Sequence, residues 1–284
     1  MRILITGGSG QLGTSLQRRL AGTDYLAPSH AQLNITDAEQ VYEFFQATRP
    51  DAVIHCAAYN NVDLAETEPE QCRLVNVKGT ENIVAAARVF GSYVIYISSD
   101  YVFDGRKVGA YQTTDKKNPL SVYGASKSKA EDLVLAEPNN AVVRISWLFG
   151  PGERNFVRAV LRAAQARPSL SVVNDQIGSP TYTEDLAALL CEMLGKRPQG
   201  IFHATNEGVC SRAWFAEKVL EVSGIKTEII GVTSEQYPSS AQRPLNSRLS
   251  KVSLDAAGLH RLPEWEDALT RYLAVDQKYR NWGA

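Results

Sequence analysis

Short β-branched runs alternate with helical patterns from Arg2 to about Ser146, an order that marks a parallel sheet covered on both faces. The runs predict strands at Ile3–Thr6, Tyr25–Ala27, Ala52–His55, Tyr93–Ser98 and Ala141–Ser146. Between them, Gln11–Leu20 sets Leu12, Leu16 and Leu20 on one face, and Asp37–Thr48 opens on a capping aspartate and closes before Pro50. Pro69–Val89 reads as one long helix with Leu74, Val77, Ile83 and Val84 inward, and a further helix is predicted over Val122–Ala136, stopping near Pro138. Beyond Gly150 the regularity loosens. Helices are expected at Asn155–Ala166, Thr183–Leu194, Ser211–Ser223 and Glu264–Tyr279, with short strands at Leu170–Val173 and Ile201–His203 and no internal repeat.

Composition narrows the class. At 284 residues and 44% hydrophobic content the chain can bury a sizeable core. Its net charge is −1 with basic residues scattered, which leaves no electrostatic footprint for nucleic acid. No uncharged apolar stretch reaches the roughly 18 to 20 residues of a spanning helix, and Arg2-Ile3-Leu4-Ile5 reads as a strand start and not a signal peptide. A cytoplasmic protein that engages neither membrane nor nucleic acid is expected. Cys56, Cys72, Cys191 and Cys210 have neither CxxC spacing nor neighbouring histidines, so they read as small buried thiols, and no metal site is assigned.

The first candidate chemistry is Gly7-x-x-Gly10-x-x-Gly13, which follows an apolar strand and opens a helix. In that setting the glycines permit a tight turn, close approach of a pyrophosphate and close helix–strand packing, while the helix N-terminus offers N–H groups to phosphate. Gly7, Ser9, Gly10, Gln11, Leu12 and Gly13 are therefore candidate cofactor-binding residues. The carboxylate that usually holds a ribose 2′-hydroxyl about 20 residues on is replaced by Ala27-Pro28-Ser29-His30. Nothing there repels a 2′-phosphate, and Ser29, His30, Arg18 or Arg19 could help hold one, so NADPH is expected over NADH. Asn34 and Ile35, in Asn34-Ile35-Thr36-Asp37, either sit beside adenine or belong to a helix cap.

The second is Tyr123 and Lys127, four apart and so on one face of a helix. Reducing a ketone requires a hydride at carbon and a proton at oxygen. Tyrosine, with an ordinary pKa of about 10, gives up a proton more readily when a lysine one turn away favours the phenolate. Ser99, at the end of a strand, can bond the carbonyl oxygen. The spacing alone more often marks an exposed helix face; the glycine loop upstream reverses that reading in favour of catalysis.

With these motifs, the chain resembles the extended short-chain dehydrogenase/reductase superfamily over nearly its whole length. Its strings Gly10-Gln11-Leu12-Gly13, Ala57-Ala58-Tyr59-Asn60-Asn61-Val62-Asp63, Ser98-Ser99-Asp100-Tyr101-Val102-Phe103, Val173-Asn174-Asp175-Gln176 and Arg243-Pro244-Leu245-Asn246-Ser247 look most like the dTDP-4-dehydrorhamnose reductase family. The resemblance implies an α/β, Rossmann-like doubly wound parallel sheet with a smaller C-terminal sugar-nucleotide-binding domain. The expected division is 1–148, with a return segment about 169–206, for NADP(H), and 149–168 with 207–284 for substrate. It implies reduction of the 4-keto group of a dTDP sugar with NADPH or NADH, the last step of dTDP-rhamnose biosynthesis. Tyr123 would be the proton donor, Lys127 its partner and Ser99 the hydroxyl, where the family commonly has threonine.

Ala57, Ala58 and Tyr59 would flank the cofactor, and Val62, Asp100, Tyr101 and Trp147 would contact the sugar nucleotide, with core packing the other reading of Trp147. Arg243 and Arg248 are candidates for the diphosphate, or else solvated surface arginines. Asn34 departs from an aspartate common in the family. No visible carboxylate cluster carries over the magnesium-bridged dimers described for some members, so magnesium dependence stays open, as does the choice of monomer or homodimer. The rivals are sugar-nucleotide 4,6-dehydratases, which use an Asp-Glu pair where this chain has Asp100-Tyr101, and 4-epimerases, which retain NAD⁺. A non-catalytic dehydrogenase-like regulatory subunit is the rival from another class.

Overall fold

The apolar runs of the first half form one parallel sheet, and the computed structural model describes residues 1–152, 155–237 and 239–275. In chain order this half contains β1 (Ile3–Thr6), α1 (Gln11–Arg19), β2 (Tyr25–Leu26), α2 (Ala38–Thr48), β3 (Ala52–His55), α3 (Val62–Thr67), α4 (Pro69–Arg73), α5 (Gly79–Phe90), β4 (Tyr93–Ser99), α6 (Val122–Leu135) and β5 (Ala141–Ile145). The rest contributes β6 (Leu148–Phe149), α7 (Phe156–Ala166), β7 (Ser169–Val173), β8 (Ile177–Gly178), β9 (Thr181–Tyr182), α8 (Thr183–Lys196) and β10 (Gly200–His203). After these come β11 (Cys210–Ser211), α9 (Arg212–Val222), β12 (Glu228–Val232), β13 (Asn246–Ser247), α10 (Val252–Ala256) and α11 (Trp265–Val275).

Six strands lie in the order β10-β5-β4-β3-β1-β2, every pair parallel. β1, β3, β4 and β5 are buried along their whole length, which explains their continuous apolar sequences. Successive residues face opposite layers. Ile3 and Ile5 pack with Leu12 and Leu16 of α1 and Leu186 and Leu190 of α8, whereas Leu4 packs with Val41, Phe45 and Ile83 of α2 and α5. The sheet is thus a doubly wound α/β sheet of the Rossmann type.

Local chemistry sets the element ends. Asp37 Oδ1 accepts from the N–H groups of Glu39 and Gln40, both at 3.1 Å, and α2 stops at Arg49, whose left-handed backbone (φ 46°) leads into Pro50. The stretch expected as one helix over Pro69–Val89 is instead α4, a π-helical turn over Leu74–Lys78, and α5. A π turn inserts one residue relative to the α-helical register. Leu74, expected inward, is consequently 42% exposed, and Asn76 is buried in its place. α3, too short for a periodic signature, precedes them under an Asn61 cap.

A second core gathers Phe149, Leu161, Leu170, Phe215, Trp265 and Leu269 between α7, α9, α11 and the two-stranded β7–β12 sheet. The segment 169–206 divides accordingly: β7 pairs with β12 and buries Leu170 in this second core, while α8 and β10 rejoin the large sheet. Ser15 Oγ on α1 lies 2.8 Å from both Thr183 Oγ1 and Glu184 Oε1 at the start of α8. The helix expected over Glu264–Tyr279 is α11, and the positions from 276 onward lie outside the described residues. Cys72 and Cys210 are buried thiols; Cys56 and Cys191 are partly buried.

Candidate active site

β1 lies between β2 and β3, so the loops leaving β1 and β3 part at the carboxyl ends of the strands and open a crevice there. Gly7 turns with φ 69°, and a Cβ on it would stand 2.8 Å from Ala57 N; one on Gly13 would stand 2.4 Å from Gly7 O. Backbone packing therefore requires both glycines. Gly10 differs: only Gly7 O, at 3.3 Å, faces it, and like Ser9 it is exposed. Gly10 is also the N-cap of α1, where no side chain caps the helix and no acid occupies the first turn. A bare, uncapped helix start with partial positive charge fits a diphosphate. Gln11 is half-buried there, and the Leu12 side chain belongs to the core.

The floor of the crevice is a buried polar chain. Ala57 N–H donates to Thr6 Oγ1 (3.2 Å), Thr6 Oγ1 lies 2.6 Å from His55 Nδ1, and His55 Nε2 lies 3.1 Å from Thr80 Oγ1. Thr80 donates to Asn76 O (2.6 Å), so His55 carries its proton on Nε2 and accepts at Nδ1. Burial and then the Lys127 ammonium bring His55 down to about 3, which makes it a neutral ring. On the β2 side, Asn34 Oδ1 accepts from the N–H (3.1 Å) and hydroxyl (2.9 Å) of Thr36, and Ile35 is buried against Gly79. Asn34 thus shapes the turn, Ile35 serves the core, and the helix cap of this stretch is Asp37.

Ser121 Oγ accepts from Gly124 N–H (3.1 Å) to start α6, and Val122 N–H donates to Glu66 Oε1 of α3 (2.9 Å). α6 then brings Tyr123 against the turn that follows β4, where the Tyr123 and Tyr101 rings meet edge to face at 5.6 Å between centroids. The Ser99 hydroxyl stands near enough to the Tyr123 phenol to act on its hold on the proton. One turn on, Lys127 is buried, donates to Ile97 O at 2.6 Å and stands 4.1 Å over the Tyr96 ring. The structure therefore brings Ser99, Tyr123 and Lys127 together at the carboxyl end of β4.

Burial and the Asp100 charge push the Tyr123 phenol above its ordinary value, against the influence of the Ser99 hydroxyl. The phenol is thus not eased downward in the free protein, as the Tyr-Lys spacing alone suggests, but held protonated. Burial lowers Lys127 to about 7, with the Glu131 carboxylate opposing. Asp100 is buried and rises to about 6 through desolvation, with the Ser247 and Ser99 hydroxyls and the Arg212 guanidinium favouring its charge. Ser99 Oγ donates to Asp100 Oδ1 at 2.9 Å, whereas the buried Oδ2 has no hydrogen-bond partner among the described residues. A buried acceptor of this kind ordinarily has a hydrogen-bond donor.

Asn76 was not indicated by any motif. Its Oδ1 accepts from Tyr59 N–H (2.8 Å), its Nδ2 donates to Tyr59 O (3.1 Å) and Ser126 Oγ (2.8 Å), and Ser126 Oγ donates to Tyr123 O (2.7 Å). It joins the loop after β3, which holds Ala57, Ala58 and Tyr59, to the helix carrying Tyr123. Nothing in the sequence marks it, because only the π turn rotates it inward.

Beside this centre lies a groove of about 1040 Å³ lined by Asp63, Gln176, Arg212, Tyr237, Ser239 and Arg243, among others. Arg243 Nη2 meets Asp63 Oδ2 at 2.6 Å, next to Val62 at the start of α3. Arg248 does not line the groove; its Nε donates to Asn246 Oδ1 at 2.8 Å. Trp147 has left-handed backbone (φ 49°), conformational strain of a kind that often accompanies function, and is 9% exposed within the second core. The Arg212 guanidinium lies 3.9 Å over its indole and 5.4 Å from the Phe156 ring, close to Asp100 and Tyr101. Arg212, which no motif singled out, makes no guanidinium hydrogen bond among the described residues and faces the groove. Among the described residues, no cluster of three or more His, Cys, Asp or Glu side chains could hold a metal ion, and no helix is long and apolar enough to cross a membrane.

Comparison with known proteins bears on this geometry. The family model described as RmlD substrate binding domain matches residues 1–278. The chain is 38% identical over 275 residues to the spore coat polysaccharide biosynthesis protein SpsK of Bacillus subtilis, covering 96% of each. Among solved structures it is similar to a dTDP-4-dehydrorhamnose reductase of Clostridium acetobutylicum, at 36% identity and TM-score 0.95, covering 97% of this chain and 99% of that one. It is also similar to the dTDP-4-dehydrorhamnose reductase of Bacillus anthracis in complex with NADP, at 36% identity and TM-score 0.93, covering 96% and 98%.

Proposed function

Since the chain belongs to the RmlD substrate-binding-domain family, we propose that it is an NADPH-dependent oxidoreductase that reduces the 4-keto group of dTDP-4-dehydro-L-rhamnose to give dTDP-L-rhamnose. The observation that carries this reading is the meeting of Ser99, Tyr123 and Lys127 beside the uncapped glycine loop. The glycine loop and α1 N-terminus would hold the reduced dinucleotide, whose nicotinamide would supply the hydride for the carbonyl carbon. Tyr123, held as a phenol, gives its proton to the carbonyl oxygen, which the Ser99 hydroxyl orients. Lys127 steadies the phenolate that remains. Asp100 Oδ2 accepts a sugar hydroxyl, Trp147 walls the sugar, and Arg212 with Arg243 receives the diphosphate.

The absence of a carboxylate after β2 supports NADPH over NADH, with Ser29 and His30 exposed where a 2′-phosphate would sit. The enzyme works in the cytoplasm on a nucleotide sugar. Purified protein should oxidise NADPH on addition of dTDP-4-dehydrorhamnose made by the preceding pathway enzymes. Tyr123→Phe should lose about 10²- to 10⁴-fold in turnover while still binding NADPH. Stoichiometric NAD⁺ in the purified protein, with no net cofactor oxidation, would instead identify an epimerase.

A further inference from the structure

Tyr123, Lys127 and Glu131 recur every four residues along α6, so the stripe that carries the reaction continues one turn deeper into the protein. Glu131 is fully buried. Its Oε1 accepts from Ser98 Oγ (2.5 Å) and Arg144 Nε (2.9 Å), its Oε2 accepts from Arg144 Nη2 (2.8 Å), and Lys117 Nζ stands 3.4 Å away. β4 grips both side chains at successive positions: the Tyr96 ring lies under Lys127, the Ile97 carbonyl accepts its proton, and Ser98 donates to Glu131.

The groups around Lys127 differ in charge. Tyr123 lies on its own helix, Tyr96 on β4, His55 and Cys56 at the end of β3, and Cys72 on α4. Burial raises both tyrosines and both thiols and keeps His55 neutral, so none of them bears a charge at neutral pH. Glu131, one turn further along α6 and paired with Arg144, is the carboxylate that acts on Lys127 beside them. We propose that Glu131 is a positioning residue for the reaction, whose carboxylate keeps Lys127 in its ammonium form and seated on the Ile97 carbonyl, and so sets the pH range over which Tyr123 works. This rests on the roles assigned above to Tyr123 and Lys127.

A buried carboxylate that loses its charge leaves Arg144 unpaired, so Glu131→Gln can fail to fold. The double variant Glu131→Gln/Arg144→Met removes both charges and keeps the site filled. In that variant the alkaline, descending limb of the pH profile for reduction should move down by about one pH unit, roughly a tenfold lower rate on that limb, with little change at the acid end. The Lys127 titration, followed in the free protein by ¹³C NMR of labelled lysine, should move down with it. A limb and a lysine titration that both stay put while only the thermal midpoint changes would make Glu131 a structural ion pair and overturn the proposal. Tyr123→Phe, run alongside, separates the two layers: if it retains turnover, the underlying assignment fails, and the lysine titration still decides the part played by Glu131.

Discussion

Asp63 and Arg243, 180 residues apart in the chain, meet in a two-pronged ion pair with Nη2 to Oδ2 at 2.6 Å and Nη1 to Oδ1 at 3.2 Å. Ala241 N–H adds a third bond to Asp63 Oδ1 at 3.1 Å, so the first turn of α3 is clasped to the segment that edges the groove. The pair is partly exposed, which limits it to about 1 kcal/mol at most. Asp63→Asn should therefore raise KM for the nucleotide sugar only a few-fold, about three- to fivefold, and leave kcat nearly unchanged. Steady-state kinetics at two salt concentrations check this, and the effect should shrink as salt screens the parent's pair.

Gly10 and Gly13 look alike in sequence but carry different loads. A Cβ on Gly13 would stand 2.4 Å from Gly7 O, whereas one on Gly10 would meet only that oxygen, at 3.3 Å. Gly10→Ala should keep its thermal midpoint yet bind NADPH on the order of tenfold more weakly, because the methyl stands where the phosphate must approach. Gly13→Ala should lose folding stability as well. Thermal melts and fluorescence titration of NADPH distinguish the two.

Arg212→Met would retain an apolar group on the Trp147 indole while removing the charge that faces the groove. Hydrogen bonds to charged groups contribute about 1.5–3 kcal/mol, so KM for the sugar nucleotide should rise about 10- to 100-fold with a smaller change in kcat. NADPH affinity, measured separately, should not move.

His203 is buried beside Arg144, and desolvation first, then the Arg144 charge, lowers it to about 3. Its folded value lies below an unfolded value near 6.5, so between those limits the unfolded chain binds a proton that the native protein does not. The stability involved is fully present above pH 6.5 and is lost as pH falls toward 3, at about 1.4 kcal/mol per unit. Replacing His203 by Gln removes that dependence. Urea unfolding at pH 7 and pH 5 should show the variant gaining about 2 kcal/mol relative to the parent over that interval.

The glycine loop, the Tyr123–Lys127 spacing and Ser99 were legible in the sequence because each is a local pattern. A strand, a turn and a helix start within a few residues announce the loop, and positions four apart share a helix face whatever surrounds them. Leu74 and Asn76 show where such reading stops: one inserted residue at the π turn turns the expected apolar position to solvent and an asparagine to the core. Segment 169–206 shows the same limit, since nothing local says that β7 pairs with β12 while β10 returns to the sheet.

The amino-acid order by itself determined the strands of the sheet, the glycine loop and the stripe on α6, all products of short-range sterics and hydrophobic period. Tertiary structure alone decided which charges meet. Arg212 reached Trp147, Arg243 reached Asp63, Arg144 closed on Glu131, and Arg248 was turned to Asn246. A guanidinium carries no periodic signature, and its partner is whatever carboxylate, ring or carbonyl the packed elements bring within a few ångströms.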